Sequence, residues 1–256
     1  MSSVSIYTNN LAIGYRRGTD VRMVQRDLSF SLLKGEMVCM LGRNGVGKST
    51  LLRTLAGLQP PLSGECNIFT FSPNERARYL SLVLTERVGV ENTTVRDVVA
   101  MGRYPYLSLT GALRDADRVA IDEALRCVGI EDMSDAYFNT LSDGERQRVL
   151  IAKAVAQHTS VILLDEPTAH LDLPNRITVL QLLRRLAHDQ DKTILISTHE
   201  LELALAFSDR ILLLYQDGFL LDTPASLTSS KPLNSSLATQ DPFTHAFGMD
   251  IFHPLG

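Results

Sequence analysis

The sequence predicts an α/β protein with a mostly parallel sheet, antiparallel strands near the N-terminus and a helical insert. Two uninterrupted apolar runs, Met37–Leu41 and residues 161–164, have the length and residue types of buried parallel strands, and a third strand is expected at Thr193–Ser197. Between the first and second runs, apolar residues recur at helical spacing over about residues 87–158. Strands that alternate with helices favour a parallel sheet, and the long helical stretch predicts the insert.

Composition and charge exclude several classes of protein. The 256 residues are 45% apolar, which is enough to bury a sizeable core in one large domain or two lobes. No apolar run approaches the roughly 20 residues that span a bilayer. The N-terminus lacks a signal-peptide pattern, so we expect a cytoplasmic protein. Three widely spaced cysteines fit neither a disulfide framework nor a zinc site. A net charge of -4 argues against a nucleic-acid partner, because nucleic-acid binders usually carry basic domains.

The first element is an early strand at residues 4–15, where apolar and polar residues alternate loosely, and residues 14–18 are expected to break it. Tyr15 lies at its end. An aromatic ring that shortly precedes a phosphate-binding loop can stack on a purine, whereas a half-exposed strand tyrosine is the alternative. A second alternating stretch at residues 28–33 leads to the buried strand Met37–Leu41.

A phosphate-binding loop follows this strand and is the most specific local motif. Its spacing fits G-x-x-x-x-G-K-[ST], and a helical pattern continues from it over Lys48–Leu55. The glycines let successive backbone N–H groups turn inward to an anion, and the helix N-terminus adds further donors. Lys48 adds a charge for the β- and γ-phosphates, and Ser49 adds a hydroxyl for Mg²⁺, which prefers oxygen ligands. We therefore expect nucleotide to contact Gly42, Arg43, Asn44, Gly45, Val46, Gly47, Lys48, Ser49 and Thr50.

Strands are expected to resume at residues 66–69 and 79–84, before the helical insert begins. Thr94 can cap a helix with Asp97 three residues on, as in a capping box. A second amphipathic helix follows and should end at Gly129. The insert is therefore predicted to be mostly helical.

Two carboxylates follow the buried strand at residues 161–164. Asp165 and Glu166 stand at its C-terminal end, where open α/β sheets bind ligands. Asp165 can hold Mg²⁺ through its water shell, and Glu166 can polarise a water for in-line attack on the γ-phosphate. A charged loop start without chemistry is the alternative, which the phosphate loop disfavours. His199 follows the strand Thr193–Ser197 and would lie beside the carboxylates if the two strands are neighbours, although a lone histidine is more often a surface or core residue.

The last elements are a hairpin and a tail. Arg210–Tyr215 and residues 219–221 have strand patterns, joined by the Asp-Gly turn at 217–218. From residue 223 onward, serine, threonine and proline dominate and predict an irregular tail. The aromatic side chains of residues 243–254 are expected to dock it back on the core.

A further motif, at residues 141–148, resembles that of a known protein family. Residues 141–148 read LSDGERQR and resemble the signature of ABC ATPases, usually written LSGGQ. By the same resemblance, residues 161–166 look like the Walker B strand with its catalytic glutamate, and residues 169–172 look like the D-loop. His199 looks like the switch histidine and Tyr15 like the adenine-stacking residue.

The resemblance extends over about residues 4–222 and implies the fold of a P-loop NTPase with an ABC ATPase core. The implied organisation is an ABC ATPase domain at 1–222, formed by a core at 1–86 and 159–222 and a helical subdomain at about 87–158, and a C-terminal tail at 223–256.

The signature departs from the family pattern at two positions. Asp143 and Glu145 replace the usual glycine and glutamine. The resemblance assigns Ser142 and Gly144, which are retained, to the γ-phosphate of an ATP bound by a second subunit. The helix that begins near Gly144 directs its N-terminal donors to the same place, so ATP recognition through Ser142, Gly144 and Glu145 should survive.

A second departure lies at the Q-loop, where the family has a glutamine and this chain has Thr85 and Glu86. Counting back from Thr94 puts Thr85 at the metal-binding position, where its hydroxyl could bind Mg²⁺ directly or through a water. Glu86 is the alternative because it matches glutamine in length. Its charge would lie near Glu166 and the γ-phosphate, and nearby like charges disfavour ionisation.

The resemblance implies an ATPase that binds ATP and Mg²⁺ and forms a head-to-tail homodimer around two ATP molecules. Its implied partners are integral-membrane permease subunits and, indirectly, an extracytoplasmic binding protein, which would place it on the inner face of the cell membrane. Residues 101–106 are similar to those of ATPases that serve importers of iron-siderophore complexes, haem and cobalamin, so such a compound is the expected cargo.

Two alternatives remain from other functional classes. The first is a non-transport ABC ATPase that acts on nucleic acid or the ribosome. Such proteins commonly carry two cassettes or long coiled-coil insertions, which this sequence lacks, and the acidic balance also argues against it. The second is a module that binds nucleotide without hydrolysing it, against which the retained Glu166 and His199 argue.

Overall fold

A computed structural model describes residues 3–84, 92–108, 111–216, 218–229 and 242–247. Its strands, in chain order, are β1 (Val4–Arg17), β2 (Asp20–Leu28), β3 (Ser31–Leu33), β4 (Met37–Leu41), β5 (Ser63–Cys66), β6 (Leu80–Val83), β7 (Val161–Asp165), β8 (Thr193–Ser197), β9 (Arg210–Tyr215) and β10 (Gly218–Asp222). The α-helices are α1 (Lys48–Leu55), α2 (Pro73–Tyr79), α3 (Val95–Ala100), α4 (Asp115–Val128), α5 (Asp143–Ala156), α6 (Leu173–Gln190), α7 (Leu201–Phe207), α8 (Pro224–Thr228) and α9 (Pro242–Phe247). Short 3-10 helices lie at Asn67–Thr70, Met101–Tyr106, Glu131–Met133 and Phe138–Thr140.

The larger sheet has the strand order β10-β9-β4-β8-β7-β6. Strands β9, β4, β8, β7 and β6 pair in parallel, and β10 joins β9 as an antiparallel hairpin. Every residue of β4, β7 and β8 is buried, which is why these strands are mostly apolar, apart from Asp165 at the end of β7 and Thr193 and Ser197 at the ends of β8. The predicted parallel sheet is confirmed.

The N-terminal strands form a smaller antiparallel sheet in which β1 pairs with β2, β3 and β5. The predicted break of β1 at residues 14–18 is wrong, because the strand continues to Arg17 and the chain turns only at Gly18. Gly14 lies opposite Met23, and a Cβ at Gly14 would be 2.2 Å from the backbone oxygen of Arg22. The glycine therefore permits a close approach of two strands instead of ending one.

Strand β4 contributes alternate residues to two separate cores. Val38 and Met40 belong to the core that contains the apolar residues of α1 and the N-terminal sheet. Met37, Cys39 and Leu41 belong to the core that contains residues of α3 to α6. The alternation follows from the two-residue period of a strand, and it places the end of β4 between two packed layers.

Three helices, α3, α4 and α5, pack on one another between β6 and β7 in the chain. Thr94 caps α3: its hydroxyl oxygen accepts from the N–H of Asp97, and the Asp97 carboxylate accepts from the N–H of Thr94, as predicted. Gly129 ends α4 with a φ of 69°, also as predicted. A Cβ at Gly102 would be 2.3 Å from the backbone oxygen of Lys153, so this glycine allows close contact with α5.

Two strand predictions need correction. The strand predicted at residues 66–69 is only the end of β5, which is followed by a 3-10 helix. The strand predicted at residues 79–84 is limited to β6, because α2 precedes it. Ser72 caps α2 in a capping box with Glu75, and Pro73 occupies the first helical position.

The predicted irregular tail contains two short helices, α8 and α9, so that prediction is wrong for them. Leu227 of α8 and Phe243 of α9 are fully buried in the core that contains α6, so the predicted docking of an aromatic side chain is confirmed for Phe243. Thr85, Glu86 and Asp217 lie outside the described residues. Among the helices that are described, none is long and apolar enough to cross a membrane.

Candidate functional site

The phosphate-binding loop joins β4 to α1 and depends on three glycines with positive φ. Gly42, Gly45 and Gly47 have φ values of 155°, 81° and 118°. A Cβ at Gly42 would be 2.6 Å from the Leu214 backbone oxygen, and a Cβ at Gly47 would be 2.7 Å from a Val24 methyl group. Around Gly45 the space is open, so only its backbone conformation requires glycine. The loop is held between β9 and β2 and presents its middle outward.

Lys48 begins α1 and is buried, with 7% of its surface exposed. Its Nζ donates to the backbone oxygen of Gly42 at 2.7 Å and to that of Arg43 at 3.4 Å. Burial lowers the pKa of Lys48, while the nearby charges of Glu166 and Asp165 oppose this shift. The ammonium group is therefore bonded to its own loop and faces both carboxylates.

Several other predicted nucleotide contacts have exposed side chains. Arg43, Asn44 and Ser49 are exposed, so their side chains are accessible to a ligand. The Tyr15 hydroxyl lies 3.0 Å from Oγ1 of Thr50, and 45% of Tyr15 is exposed. This hydrogen bond ties the end of β1 to α1 and leaves much of the tyrosine open to solvent.

The sequence did not indicate that Gln25 contacts the phosphate loop. This residue of β2 is 3% exposed, and its Nε2 donates to the Val46 backbone oxygen at 3.0 Å and to the Tyr215 backbone oxygen at 2.7 Å. It holds the phosphate loop against the end of β9. An isolated glutamine in an alternating strand gives no signal of such a contact, because its partners are distant in sequence.

Asp165 and Glu166 lie where β7 ends, opposite the end of β8. Ser197 donates its hydroxyl to Oδ1 of Asp165 at 2.5 Å. The N–H of Glu166 lies 2.9 Å from Oγ and 3.1 Å from the backbone oxygen of Ser197. Glu166 has a φ of 46°, which is unusual for a residue other than glycine. The two carboxylates therefore leave the strand in a fixed backbone geometry.

His199 lies just past the end of β8, as the sequence predicts. Its Nδ1 is 3.8 Å from Oε1 of Glu166, so the neighbouring strands do bring histidine and carboxylate together. The His199 side chain is 58% exposed, and that of Glu166 is 31% exposed. Both groups are accessible from the edge of the sheet where the phosphate loop lies.

Ser142 and Glu145 form a capping box at the start of α5. The Ser142 backbone N–H and hydroxyl lie 2.8 and 2.7 Å from Oε2 of Glu145. The Ser142 hydroxyl oxygen in turn accepts from the N–H of Glu145 at 3.4 Å. The side-chain and backbone hydrogen bonds from Ser142 lower the pKa of Glu145. The Glu145 carboxylate, which departs from the family signature, is therefore engaged in hydrogen bonds at the start of its own helix.

The other signature residues have local partners as well. Asp143 forms an ion pair with Arg146 at 3.4 Å. Gly144 is buried, and a Cβ there would be 3.0 Å from the side chain of Asn175 in α6. Within one chain α5 packs on α3, α4 and β6, whereas α1 packs on β1 and β7. The signature and the phosphate loop thus begin two helices that have different packing neighbours.

A family model described as ABC transporter matches residues 25–169, more than half of the chain. The chain belongs to the ABC transporter family. The iron(3+)-hydroxamate import ATP-binding protein FhuC of Bacillus subtilis is 37% identical over 209 residues, which cover 80% of this chain and 76% of FhuC.

Solved structures agree with this ABC assignment. A metal-chelate type ABC transporter in an inward-facing conformation is similar at a TM-score of 0.81 and 29% identity, over 96% of this chain and 90% of that one. A dimeric post-hydrolysis ATP-binding cassette bound to ADP and Pi is similar at a TM-score of 0.72 and 26% identity, over 86% and 98%. The predicted ABC ATPase fold is confirmed, and the chain is an ATP-binding ATPase.

The donors in this ABC ATPase suit a magnesium ion together with polyphosphate. Mg²⁺ prefers hard oxygen ligands and is usually bound by one or two protein groups plus substrate phosphates. Ser49 offers an exposed hydroxyl at the start of α1, and Asp165 offers a carboxylate at the end of β7. A hydroxyl and a carboxylate beside a phosphate loop match that preference.

Proposed function

We propose that this ABC ATPase hydrolyses ATP at the carboxyl ends of β4, β7 and β8, as the energy-supplying subunit of an importer. One observation carries the proposal: a buried cation, two carboxylates and a histidine converge there. The charges of Glu166 and Asp165 oppose the lowering of the Lys48 pKa by burial, and Glu166 Oε1 lies 3.8 Å from His199 Nδ1. Phosphoryl transfer relies mainly on positioning and charge, which these groups can supply.

Each group would have a separate task. Lys48 would exchange its bonds to the loop oxygens for bonds to the β- and γ-phosphates, while the N–H groups of the loop surround the same phosphates. Glu166 would accept a hydrogen bond from the attacking water and orient this water in line with the bond to the γ-phosphate that breaks. His199 would donate to a γ-phosphate oxygen and limit the movement of Glu166.

Magnesium would be held by Ser49 and Asp165, and when bound it would neutralise charge on the β- and γ-phosphates. The Ser197 hydroxyl fixes the orientation of the Asp165 carboxylate for this role. Thr85 stays the predicted third ligand, with Glu86 as the alternative. A raised Mg²⁺ requirement of ATPase activity in Thr85→Ala, but not in Glu86→Ala, would support Thr85, and the reverse pattern would support Glu86.

The complete site would require two subunits. The signature and the phosphate loop begin helices with different packing neighbours, α5 and α1, and we propose a head-to-tail homodimer in which Ser142 and Gly144 donate to the partner's ATP. Glu145 would act there by keeping the Ser142 cap in place. Tyr15 would stack on the adenine through its exposed ring. We also propose the division into a core, a helical subdomain and a tail predicted from the sequence.

The cargo that we propose is an iron chelate. Support comes from the similarity to an iron(3+)-hydroxamate import subunit and to a metal-chelate type transporter. Haem and cobalamin stay predicted alternatives. The ATPase would bind integral-membrane permease subunits at the inner face of the membrane and be served indirectly by an extracytoplasmic binding protein. Co-purification of a permease would support this assignment, and stimulation of ATPase activity by nucleic acid would contradict it.

The decisive experiment is the variant Glu166→Gln. This change keeps the size of the side chain and removes its negative charge, so ATP affinity should persist while turnover falls by about a hundredfold or more. Gel filtration with ATP and Mg²⁺ should then show a dimer that the wild-type protein forms only transiently. Glu75→Gln, which makes the same change in the exposed capping box of α2, serves as the control. Unchanged hydrolysis by Glu166→Gln would refute the assigned role.

A further inference from the structure

We propose that Glu200 is a positioning residue that fixes the distance between Glu166 and His199. The proposal rests on the function proposed above for those two residues. It is motivated by one largely buried carboxylate that joins the loop after β7 to the loop after β8. We assign Glu200 no contact with ATP, and its effect on hydrolysis would pass through His199.

The contacts of Glu200 span three segments. Thr168 donates its hydroxyl to Oε1 of Glu200 at 3.1 Å, and Arg176 donates Nη1 to Oε2 at 2.9 Å. Arg176 also donates Nε to the backbone oxygen of Leu171 at 2.6 Å. The side chain of Glu200 is 12% exposed, and Thr168 is 3% exposed. One carboxylate thus joins the loop after β8 to the loop after β7 and to α6.

The positions of these residues in the chain explain why the contacts matter. Glu200 directly follows His199, and Thr168 is two residues beyond Glu166. The bond between Glu200 and Thr168 therefore fixes the two loops close to the pair at 3.8 Å. Glu166 has a positive φ, a conformation that costs energy and persists only when surrounding contacts hold it. The Glu200 contacts are among those that hold this loop.

A carboxylate suits this task better than an amide. Its two oxygens accept from two different donors, whereas an amide offers one acceptor oxygen and a second group that only donates. In Glu200→Gln, the amide oxygen can accept from Arg176 only if the NH₂ group faces Thr168, whose hydroxyl must then turn from donor to acceptor. The substitution thus removes the negative charge that pairs with Arg176 and reverses the contact with Thr168, with almost no change in volume.

A matched control exists at the opposite end of the sheet. Glu36 precedes β4 and accepts from Arg210 at 2.9 Å through Oε2 and at 2.5 Å through Oε1, and its side chain is 10% exposed. It resembles Glu200 in burial and in its arginine partner. Because it lies before the amino end of β4, it is remote from the phosphate loop at the carboxyl end. Glu36→Gln should reduce stability without changing kcat.

The first measurement is steady-state ATPase activity of the full chain. In Glu200→Gln, kcat should fall between about tenfold and a hundredfold, because small misplacements of catalytic groups have effects of this size. The KM for ATP should change by less than about threefold, since the phosphate loop is untouched. Thr168→Val should behave in the same way, and Thr168→Ser, which restores the hydroxyl, should recover most of the loss.

The second measurement is a double-mutant cycle with His199→Ala. If Glu200 acts through His199, Glu200→Gln should cause little further loss in the His199→Ala background. Losses that multiply independently in the double variant would overturn the proposal. So would a Glu200→Gln protein with wild-type kcat, or a Glu36→Gln protein with the same loss of kcat.

These outcomes are separable from failure of the proposed function. If Glu166→Gln keeps wild-type turnover, the catalytic assignment is wrong, whatever Glu200 does. If Glu166→Gln is inactive while Glu200→Gln and Thr168→Val are fully active, the catalytic assignment stands and the positioning role is wrong. Thr168→Val also keeps the test open if Glu200→Gln does not fold.

Discussion

At the level of single residues, the capping box at the start of α5 explains how the signature tolerates a carboxylate. Glutamate and glutamine serve equally well at the third helical position, because each offers an oxygen to the N–H of the capping residue. Here Glu145 accepts from both the N–H and the hydroxyl of Ser142. The acidic side chain is thereby directed to its own helix, and the N–H groups of α5 keep their orientation.

We therefore expect Ser142→Ala and Glu145→Gln to differ. Ser142→Ala removes the cap and should lower the free energy of unfolding by about 1 kcal/mol. Glu145→Gln keeps an acceptor and should leave that free energy at pH 7 nearly unchanged. Urea unfolding of both variants is the measurement, and equal losses in the two would contradict the capping role.

The same pair has a predictable pH dependence. The pKa of Glu145 is lowered from 4.5 by the side-chain and backbone hydrogen bonds of Ser142. Because the folded-state pKa is below the unfolded one, the contribution to stability is complete above about pH 4.5 and is lost as the pH falls below it. Glu145→Gln should show a smaller loss of stability in that acidic range than the wild-type protein.

At the level of elements, the helices between β6 and β7 depend on a buried ion pair. Arg103 donates Nε to Oδ1 of Asp117 at 2.9 Å and Nη1 to the Ala156 backbone oxygen at 2.7 Å. Its guanidinium carbon lies 4.0 Å from the centre of the Tyr106 ring. The motif at residues 101–106, which suggested a subgroup of importers, therefore joins α4 to α5 through Arg103.

Loss of one partner of this buried ion pair should strongly lower the free energy of unfolding. Asp117→Ala leaves the buried charge of Arg103 without a carboxylate and should destabilise the protein by about 3 kcal/mol or more. The control is Asp122→Ala in the same helix, which breaks an ion pair with Arg96 whose side chains are 44% and 48% exposed. That change should cost less than about 1 kcal/mol. Similar losses in both variants, measured by urea unfolding, would contradict the importance of burial.

Protonation gives a second test of this pair. Burial raises the pKa of Asp117, but hydrogen bonds from the Arg114 backbone and from Arg103 outweigh burial, so the pKa falls below 3.8. The sign is that of a depressed carboxyl group: stability is present above about pH 3.8 and is lost as the pH falls through the lower folded-state value.

Elements that bury apolar residues were predictable from the sequence, and those that do not were missed. The bounds of β4, α1, β8 and β9 were predicted correctly, because continuous or periodic apolar residues mark them. Helix α2 has no buried residue, so hydrophobic periodicity cannot reveal it. Strand β5 exposes its first three residues and reads as a loop. Its pairing with β1 is a tertiary contact that no local pattern encodes.

The residues of the candidate site also divide into those that local sequence identifies and those that it does not. Lys48, Asp165 and Glu166 belong to a motif or follow a buried strand, so local sequence identifies them. His199 required the additional fact that β7 and β8 are neighbours. Gln25 and Glu200 gave no local signal, because each acts through hydrogen bonds to segments distant in sequence.

At the level of the whole molecule, the C-terminal helix α9 completes the larger core. Phe243 is fully buried in the cluster that also contains the apolar residues of α6 and β9. Phe247 of the same helix is only partly buried. Helix α9 therefore contributes to the stability of the ATPase fold.

We expect Phe243→Ala to lower the free energy of unfolding by about 3 to 5 kcal/mol, since a large buried side chain leaves a cavity. Phe247→Ala should cause a smaller loss. Urea unfolding monitored by circular dichroism provides the comparison. An unfolding midpoint equal to that of the wild-type protein in Phe243→Ala would show that α9 adds nothing to the core.

The position of β4 in the centre of the larger sheet has a consequence for synthesis of the chain. β4 ends at Leu41, but its neighbours β8 and β9 begin only at Thr193 and Arg210. Even at about 20 residues per second on a ribosome, this apolar strand would wait roughly eight seconds for its first partner. Gly42 packs against Leu214, so the loop lacks one of its walls until that residue has been made. We therefore expect the complete phosphate loop to form late in synthesis, and the apolar strand β4 to be exposed to aggregation until most of the chain has emerged.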